Sequence, residues 1–149
     1  MFELGSKVKN ILIVTSDYYE NVSKGLIKGS TDFIKHQNST HEQLKINYEI
    51  KKAPVAFEVP YLINQYKNSY DAFLAFGCII RGETYHFEVI ANEVTRKIMD
   101  LSININKPIG FGILTCENLE QANARSSTYL SRNKGFESAN ACLKVIFDG

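Results

Sequence analysis

Apolar residues follow two different periods along this chain, and these periods predict its secondary structure. Four short stretches are either apolar throughout or alternate with a period of two, as expected for strands; they cover residues 8–15, 44–51, 72–80 and 109–114. Helices are predicted from apolar residues that recur near a period of 3.6, or from a proline in a first turn; they cover residues 19–36, 60–67, 87–104, 117–129 and 136–147. Polar loops are predicted at 37–41 and 131–135.

The order of these elements predicts the fold class. Strands and helices alternate, which favours a parallel sheet with helices on both faces and right-handed crossovers between strands. The expected architecture is an α/β fold, a three-layer αβα sandwich around a four-stranded parallel sheet. A chain of 149 residues can build one solid core, so residues 1–149 are predicted to form a single domain.

The near-equal numbers of basic and acidic residues argue against binding to nucleic acid or membranes. The chain has 17 basic and 16 acidic residues, so it lacks the basic surface expected of a protein that binds nucleic acid or membranes. No stretch approaches the ~18 apolar residues of a membrane span, and the first ten residues do not resemble a signal peptide. The cytoplasm is the expected location.

The cysteines Cys78, Cys116 and Cys142 indicate neither a zinc site nor a disulfide framework, because their number is odd and no two have CxxC spacing. Cys78 lies in a predicted strand and Cys142 on an apolar helix face, so both are expected in the core. Cys116 follows a strand end and could be exposed.

The most informative stretch lies where the third strand gives way to the next helix. The apolar run of residues 72–80 stops at Arg81 and Gly82, and a long amphipathic segment starts just beyond His86. In an open α/β sheet, ligands bind at the carboxyl ends of the strands. Free backbone N–H groups at a helix start favour an anion, and a histidine there can titrate near neutral pH. The stretch therefore predicts an anion site with an acid–base group beside it.

Several motifs, in order along the chain, resemble those of the lumazine synthases. Residues 54–60 (PVAFEVP) are similar to the family's PGAFEIP, and residues 77–87 (GCIIRGETYHF) to its GxVIRGETxHF. Further matching segments are FGILT at 111–115, ENLEQA at 117–122, Arg125 and NKG at 133–135. The resemblance covers nearly the whole chain and implies the flavodoxin-like form of the predicted sandwich.

The resemblance implies a transferase of riboflavin biosynthesis. Such an enzyme condenses 5-amino-6-(D-ribitylamino)uracil with 3,4-dihydroxy-2-butanone 4-phosphate to 6,7-dimethyl-8-ribityllumazine, releasing phosphate and water in the penultimate step of the pathway. Because the substrate supplies the amine, no lysine Schiff base is required. The resemblance also implies that no metal or organic cofactor is needed. Riboflavin synthase, which uses the product, becomes a candidate partner.

Roles for individual residues also follow from the resemblance. His86 would shuttle protons. Arg125 would bind the phosphate. The backbone N–H groups of Gly82, Glu83 and Thr84 and the hydroxyl of Thr84 would bind the same phosphate. The residues expected to hold the pyrimidine and ribityl groups are Tyr18, Ala56, Phe57, Glu58 and Ile80. The other two histidines, His36 and His41, flank a polar loop and are expected to be solvated.

Two further residues, Phe111 and Lys134, match positions that reach the pyrimidine from an adjacent subunit. The resemblance therefore implies a homopentamer whose active sites are shared between neighbours. Arg81 also matches the family motif, but its side chain could instead pair with acidic groups across a subunit contact. It is left out of the catalytic set.

Several residues of this chain differ from the family pattern, and each difference predicts a structural or functional consequence. Val55 replaces the usual glycine, and since valine does not adopt positive φ cheaply, a shifted ribityl-binding loop is expected. Asp17 and Tyr19, on either side of Tyr18, are also unusual and could change substrate affinity. The segment from Arg125 to Lys134 is about one residue longer than in relatives that form sixty-subunit shells. This predicts a free pentamer, with a head-to-head decamer as the alternative.

Three rival functions fit the same fold class. A binding paralogue would hold a lumazine or flavin without turnover, and loss of His86 or Arg125 would have supported it. A flavodoxin-like electron carrier needs a phosphate loop after the first strand, where residues 15–19 (TSDYY) are a poor match. A response-regulator receiver domain needs a phosphoacceptor aspartate after the third strand, where this chain has Arg81. The fold alone permits all three, so the site must decide between them.

Overall fold

A parallel four-stranded sheet forms the centre of the molecule. The computed structural model describes residues 7–128 and 132–148. Within them the strands are β1 (Lys7–Ser16), β2 (Leu44–Ala53), β3 (Ala72–Ile80) and β4 (Ile109–Cys116). They lie in the order β2-β1-β3-β4, and every neighbouring pair is parallel. The predicted fold class is confirmed.

Five α-helices cover the two faces of the sheet in the described part of the chain. They are α1 (Glu20–Thr40), α2 (Val59–Gln65), α3 (His86–Ile105), α4 (Leu119–Arg125) and α5 (Lys134–Asp148). Helices α1, α4 and α5 bury one face of the sheet, and α2 and α3 bury the other. No helix in residues 7–128 and 132–148 has the length and apolar character of a membrane span.

Strands β1 and β3 lie in the middle of the sheet because their sequences are apolar on both faces. In β1, successive side chains point to opposite faces, so Ile11 and Ile13 enter one core while Leu12 and Val14 enter the other. The seven residues 72–78 of β3 are all buried. A strand buried on both faces belongs in the middle of a parallel sheet, and β1 and β3 lie there.

The polar loop predicted at residues 37–41 is wrong, because α1 continues to Thr40. Polar side chains in this last turn bond to backbone instead of ending the helix. The Asn38 amide pairs with both the N–H and the carbonyl of Ile46, at 2.8 and 3.0 Å, and the Thr40 hydroxyl donates to the carbonyl of His36 at 2.9 Å. The extra turn thereby fastens α1 to β2.

The junction between α4 and α5 also differs from the prediction. Helix α4 ends at Arg125 and α5 begins at Lys134, two residues before its predicted start. Asn133 caps α5, since its side-chain oxygen accepts from the Phe136 N–H at 3.0 Å. Residues 129–131, which include the predicted end of the fourth helix, lie outside the described residues.

Close backbone approach brings α5 onto β4 and α1 onto the α4–α5 junction. A Cβ atom at Gly110 would lie 2.6 Å from the carbonyl oxygen of Ser138, and one at Gly25 would lie 2.0 Å from that of Ser126. Only glycine permits these contacts. Gly110 therefore allows α5 to pack directly against β4.

Candidate active site

A cleft of about 550 Å³ opens at the carboxyl ends of β1, β2 and β3. This is the edge of a parallel sheet at which ligands bind, and the volume suits a small molecule. Six predicted site residues line the cleft, namely Tyr18, Ala56, Phe57, Glu58, Ile80 and His86. These six residues come from the end of β3 and from the segments that follow β1, β2 and β3, and the fold brings them together.

Aromatic side chains form the mouth of the cleft. The Tyr18 ring is 69% exposed and the Phe57 side chain 56% exposed. Tyr18 meets Tyr19 edge to face, with 5.0 Å between the ring centroids. Exposed aromatic surface beside a cleft is available to a planar ligand or to a neighbouring subunit.

Val55 lies in the loop that follows β2. Val55 has φ −141° and ψ 173°, which is ordinary extended backbone. Its carbonyl accepts from the Glu58 N–H at 3.3 Å, closing the single 3-10 turn Ala56–Glu58. The negative φ is the one that valine prefers, so Val55 fits this loop without backbone strain, and a shift of the loop relative to relatives with glycine stays a prediction.

His86 is the first residue of α3, and it is exposed at the cleft. Its backbone N–H lies 3.3 Å from the Thr84 hydroxyl oxygen. The three predicted phosphate-binding residues before it, Gly82, Glu83 and Thr84, are exposed and are not among the cleft-lining residues. The helix start therefore presents its first turn, with the imidazole, at the rim of the cleft.

Arg81 makes its ion pairs within its own chain. Its Nε donates to both carboxylate oxygens of Glu117, at 2.9 and 3.0 Å, and its Nη1 donates to Glu88. The guanidinium also lies over the Phe87 ring, 4.5 Å from the centroid. The hydrogen bond from Arg81 lowers the pKa of Glu88 below its ordinary value. Within one chain, Arg81 thus already has two acidic partners, and pairing across a subunit contact stays a prediction.

Arg125 ends α4 and is exposed, with its Nη1 donating to the Gln121 carbonyl at 3.1 Å. Burial raises the pKa of the nearby Cys116 thiol, and the positive charge of Arg125 acts in the opposite direction. Arg125 lies at the far end of α4, the short helix that follows β4. It is not among the residues that line the cleft.

Phe111 and Lys134 lie on a second surface. Both line a groove of about 480 Å³ between β4, the end of α3 and α5, and no residue of this groove lines the cleft. The Ser138 hydroxyl links them, lying 2.8 Å from the Phe111 carbonyl oxygen and 2.6 Å from that of Lys134. Phe111 and Lys134 therefore lie on a different surface from the six predicted site residues that line the cleft.

All three cysteines are buried. This confirms the expectation for Cys78 and Cys142, whereas the idea that Cys116 could be exposed is wrong, since it is only 3% exposed. Strand β4 continues to Cys116, two residues beyond its predicted end, and so carries the thiol into the core. Among residues 7–128 and 132–148, no three His, Cys, Asp or Glu side chains cluster as metal ligands would.

Sequence reasoning missed Glu88, Glu117 and Ser138. Glu88 lies seven residues after Arg81 and Glu117 thirty-six residues after it, so no helical or strand spacing pairs them. Ser138 could not be predicted either, because its hydrogen-bond partner Phe111 is 27 residues away in the chain. The available signals were the motif matches that include Arg81 and Glu117.

A parallel α/β sheet with a ligand-sized cleft at its carboxyl edge defines a flavodoxin-like α/β enzyme or ligand-binding domain. The sequence model of the 6,7-dimethyl-8-ribityllumazine synthase family matches residues 8–147. The chain therefore belongs to the 6,7-dimethyl-8-ribityllumazine synthase family.

Individual relatives agree with this family. A 6,7-dimethyl-8-ribityllumazine synthase from Bartonella tribocorum is 41% identical over 143 residues, which cover 94% of this chain and 89% of the relative. A second, from Bartonella henselae, is 42% identical over 94% of this chain and 88% of its own length. A third, from Kosmotoga olearia, is 39% identical over 91% of this chain and 85% of its own length. The predicted family, transferase class and condensation reaction are confirmed.

Proposed function

We propose that this chain, folded as a single domain, condenses 5-amino-6-(D-ribitylamino)uracil with 3,4-dihydroxy-2-butanone 4-phosphate in the cleft at the carboxyl edge of the sheet. The observation that carries the assignment of the site is the meeting of His86 with five other predicted residues in that one cleft. Holding two reactants side by side can remove roughly 7–11 kcal/mol from a barrier.

The pyrimidine and its ribityl chain occupy the apolar part of the cleft. Tyr18 supplies an aromatic surface for the pyrimidine ring. The Glu58 carboxylate accepts hydrogen bonds from ribityl hydroxyls, because an ionised carboxyl can accept from two hydroxyls at once. Ala56, Phe57 and Ile80 shape the walls around them.

The phosphate binds at the start of α3 and is paired with a guanidinium. Backbone N–H groups of residues 82–84 and the Thr84 hydroxyl face an anion at the helix start. Arg125 pairs with the phosphate oxygens, since a guanidinium fork matches them in two-point geometry. Its exposure leaves its outer face open to an anion.

His86 moves the protons. The amine of the uracil attacks the ketone and water leaves. Phosphate is then eliminated as a proton leaves carbon, and the second amine closes the ring with loss of water. An imidazole can give a proton to a departing oxygen and take one from carbon near neutral pH. His86 lies at the cleft, next to the phosphate-binding segment, where both transfers occur.

A neighbouring subunit completes the site with Phe111 and Lys134. Support comes from their place on a second surface and from β4, which has no strand on its outer side among the described residues. On α3, beside the groove residue Ser102, the side chains of Met99 and Ile103 are 63% and 70% exposed. Exposed apolar surface of this kind marks an interface between subunits.

The proposed assembly is a free homopentamer in the cytoplasm, with the head-to-head decamer as the alternative. Its basis is the length of the segment between Arg125 and Lys134, part of which lies outside the described residues. Riboflavin synthase remains a proposed partner through its use of the product.

A turnover assay with both substrates tests the proposal. Lumazine formation is followed by absorbance and phosphate release in parallel. His86→Ala should slow turnover while assembly persists, and Arg125→Ala should chiefly raise the KM for the phosphorylated substrate. His36→Ala, on the exposed surface of α1, is the matched control. Wild-type kinetics for both site variants would refute the assignment, and an inactive but assembled wild type would favour the binding paralogue.

A further inference from the structure

We propose that Arg81 is a positioning residue for this reaction. Through Glu88 it fixes the start of α3, which carries His86, and through Glu117 it fixes α4, which carries Arg125. The inference rests on the proposed function, because it concerns the geometry of the same site.

The first step is that one guanidinium joins three elements. The Arg81 backbone N–H donates to the Cys116 carbonyl at 2.9 Å, which extends the β3–β4 pairing by one residue. The side chain pairs with Glu88 in the first turn of α3 and with Glu117 just after β4. It also packs on Phe87, which neighbours His86. Moving any one of the three elements would break at least one of these contacts.

The second step concerns the loop between β3 and α3, which holds the proposed phosphate-binding groups. Residues 82–85 are all exposed, and a Cβ atom at Gly82 would have no atom within 4 Å. Packing therefore does little to fix this loop. The two ends of the loop are held together, because Arg81, which precedes the loop, is bonded to Glu88 in the first turn of α3, which follows it.

The third step follows the contacts from Glu117 to Arg125. The Glu117 N–H donates to the side-chain oxygen of Gln121 at 2.8 Å, and the Gln121 N–H donates to Asn118, the cap of α4, at 2.9 Å. The Gln121 carbonyl in turn accepts from Arg125 at 3.1 Å. Two residues, Glu117 and Gln121, thus connect Arg81 to Arg125, the proposed phosphate clamp.

The fourth step is electrostatic. One guanidinium is shared by two carboxylates, and Glu88 Oε2 is shielded from solvent without a hydrogen-bond partner in the described part of the chain. Without Arg81, two carboxylates would be left unpaired at the end of the sheet where an anionic substrate must bind. The Glu88 and Glu117 side chains are 40% and 58% exposed, so solvent screens part of their charge. The expected consequences of losing Arg81 are repulsion of the anionic substrate and loss of the bonds that hold the loop in place.

Charge-neutral variants of the carboxylates separate positioning from direct phosphate binding. If Arg81 acts through its partners, Arg81→Gln and Glu117→Gln should each lower kcat by about 10–100-fold, because a displacement near 1 Å can cost that much. The KM for the uracil substrate should stay unchanged. The double variant should be no slower than Arg81→Gln alone, since residues of one network are not additive. Arg81→Lys keeps the charge but loses the planar fork, so it should not restore kcat.

Arg96→Gln is the matched control, because Arg96 bridges Glu93 and Asp100 on the exposed middle of the same helix. It should keep wild-type kinetics. The inference is overturned if Glu117→Gln and Glu88→Gln keep wild-type kcat while Arg81→Gln raises only the KM for the phosphorylated substrate and weakens inhibition by inorganic phosphate. Wild-type kinetics for Arg81→Gln would also overturn it. An inactive wild type would instead refute the proposed function, and this inference with it.

Discussion

The side-chain nitrogen of Asn133 donates a hydrogen bond to the backbone carbonyl of Gly25, 2.9 Å away and 108 residues earlier in the chain. The same nitrogen donates to the Ser127 carbonyl at 2.8 Å, and the side-chain oxygen caps α5 through Phe136. Asn133 is only 1% exposed. It therefore fixes the junction that carries Lys134 onto the face of α1.

Replacing Asn133 should destabilise the protein strongly. Asn133→Ala would leave two carbonyl groups and one helix N–H without their buried partner, so we expect a loss of about 2–4 kcal/mol in the free energy of unfolding. Urea denaturation measures this loss. Asn64→Ala, at an exposed position of α2, is the control and should change stability by less than about 0.5 kcal/mol. Equal midpoints for the two variants would contradict the account.

The three thiols should be unreactive in the folded protein. Burial raises the pKa of Cys78 and that of Cys142 to about 12, and it also raises the pKa of Cys116. Since only the thiolate reacts, a disulfide reagent at about pH 8 should label all three only after denaturation. Rapid labelling of a native thiol would show that this part of the core opens, and a peptide map would identify it.

Protonation of Glu88 at acid pH should remove the contribution that its ion pair with Arg81 makes to the stability of the fold. The pKa of Glu88 is lowered from 4.5, chiefly by the hydrogen bond from Arg81. A carboxylate of this kind stabilises the fold above its ordinary pKa, and the contribution is lost as the pH falls through the lower folded value. Between about pH 5 and pH 3 the Tm of the wild type should fall more steeply than that of Glu88→Gln. Parallel curves over that range would show that the ion pair contributes nothing.

The strands and the cleft could be predicted because each depends on a local pattern. The bounds of β3, Ala72–Ile80, agree with the prediction since a continuous apolar run ends abruptly at Arg81. The place of His86 beside the cleft follows from that same boundary, because a strand that ends at the carboxyl edge delivers the next residues there.

What could not be predicted depends on contacts distant in sequence. The last turn of α1 is stabilised by hydrogen bonds between the Asn38 side chain and the backbone of Ile46. The polar composition of residues 37–41 alone had predicted a loop. The ordinary backbone of Val55 could not be read from a motif, since a glycine in relatives does not prove positive φ. Arg81 matched its motif, but its partner Glu117 lies 36 residues later in the chain, just after β4.

The central claim is that each active site is built from two subunits, with His86 from one and Lys134 from its neighbour. Co-expression of His86→Ala and Lys134→Ala chains with different tags, followed by tandem purification, yields mixed assemblies. Neither variant alone should turn over at the wild-type rate. Random mixing in a closed ring leaves about one site in four with both residues intact, so the mixed assemblies should recover roughly a quarter of wild-type activity. Activity no higher than the mean of the two parent variants would contradict the shared site and place the whole reaction within one chain.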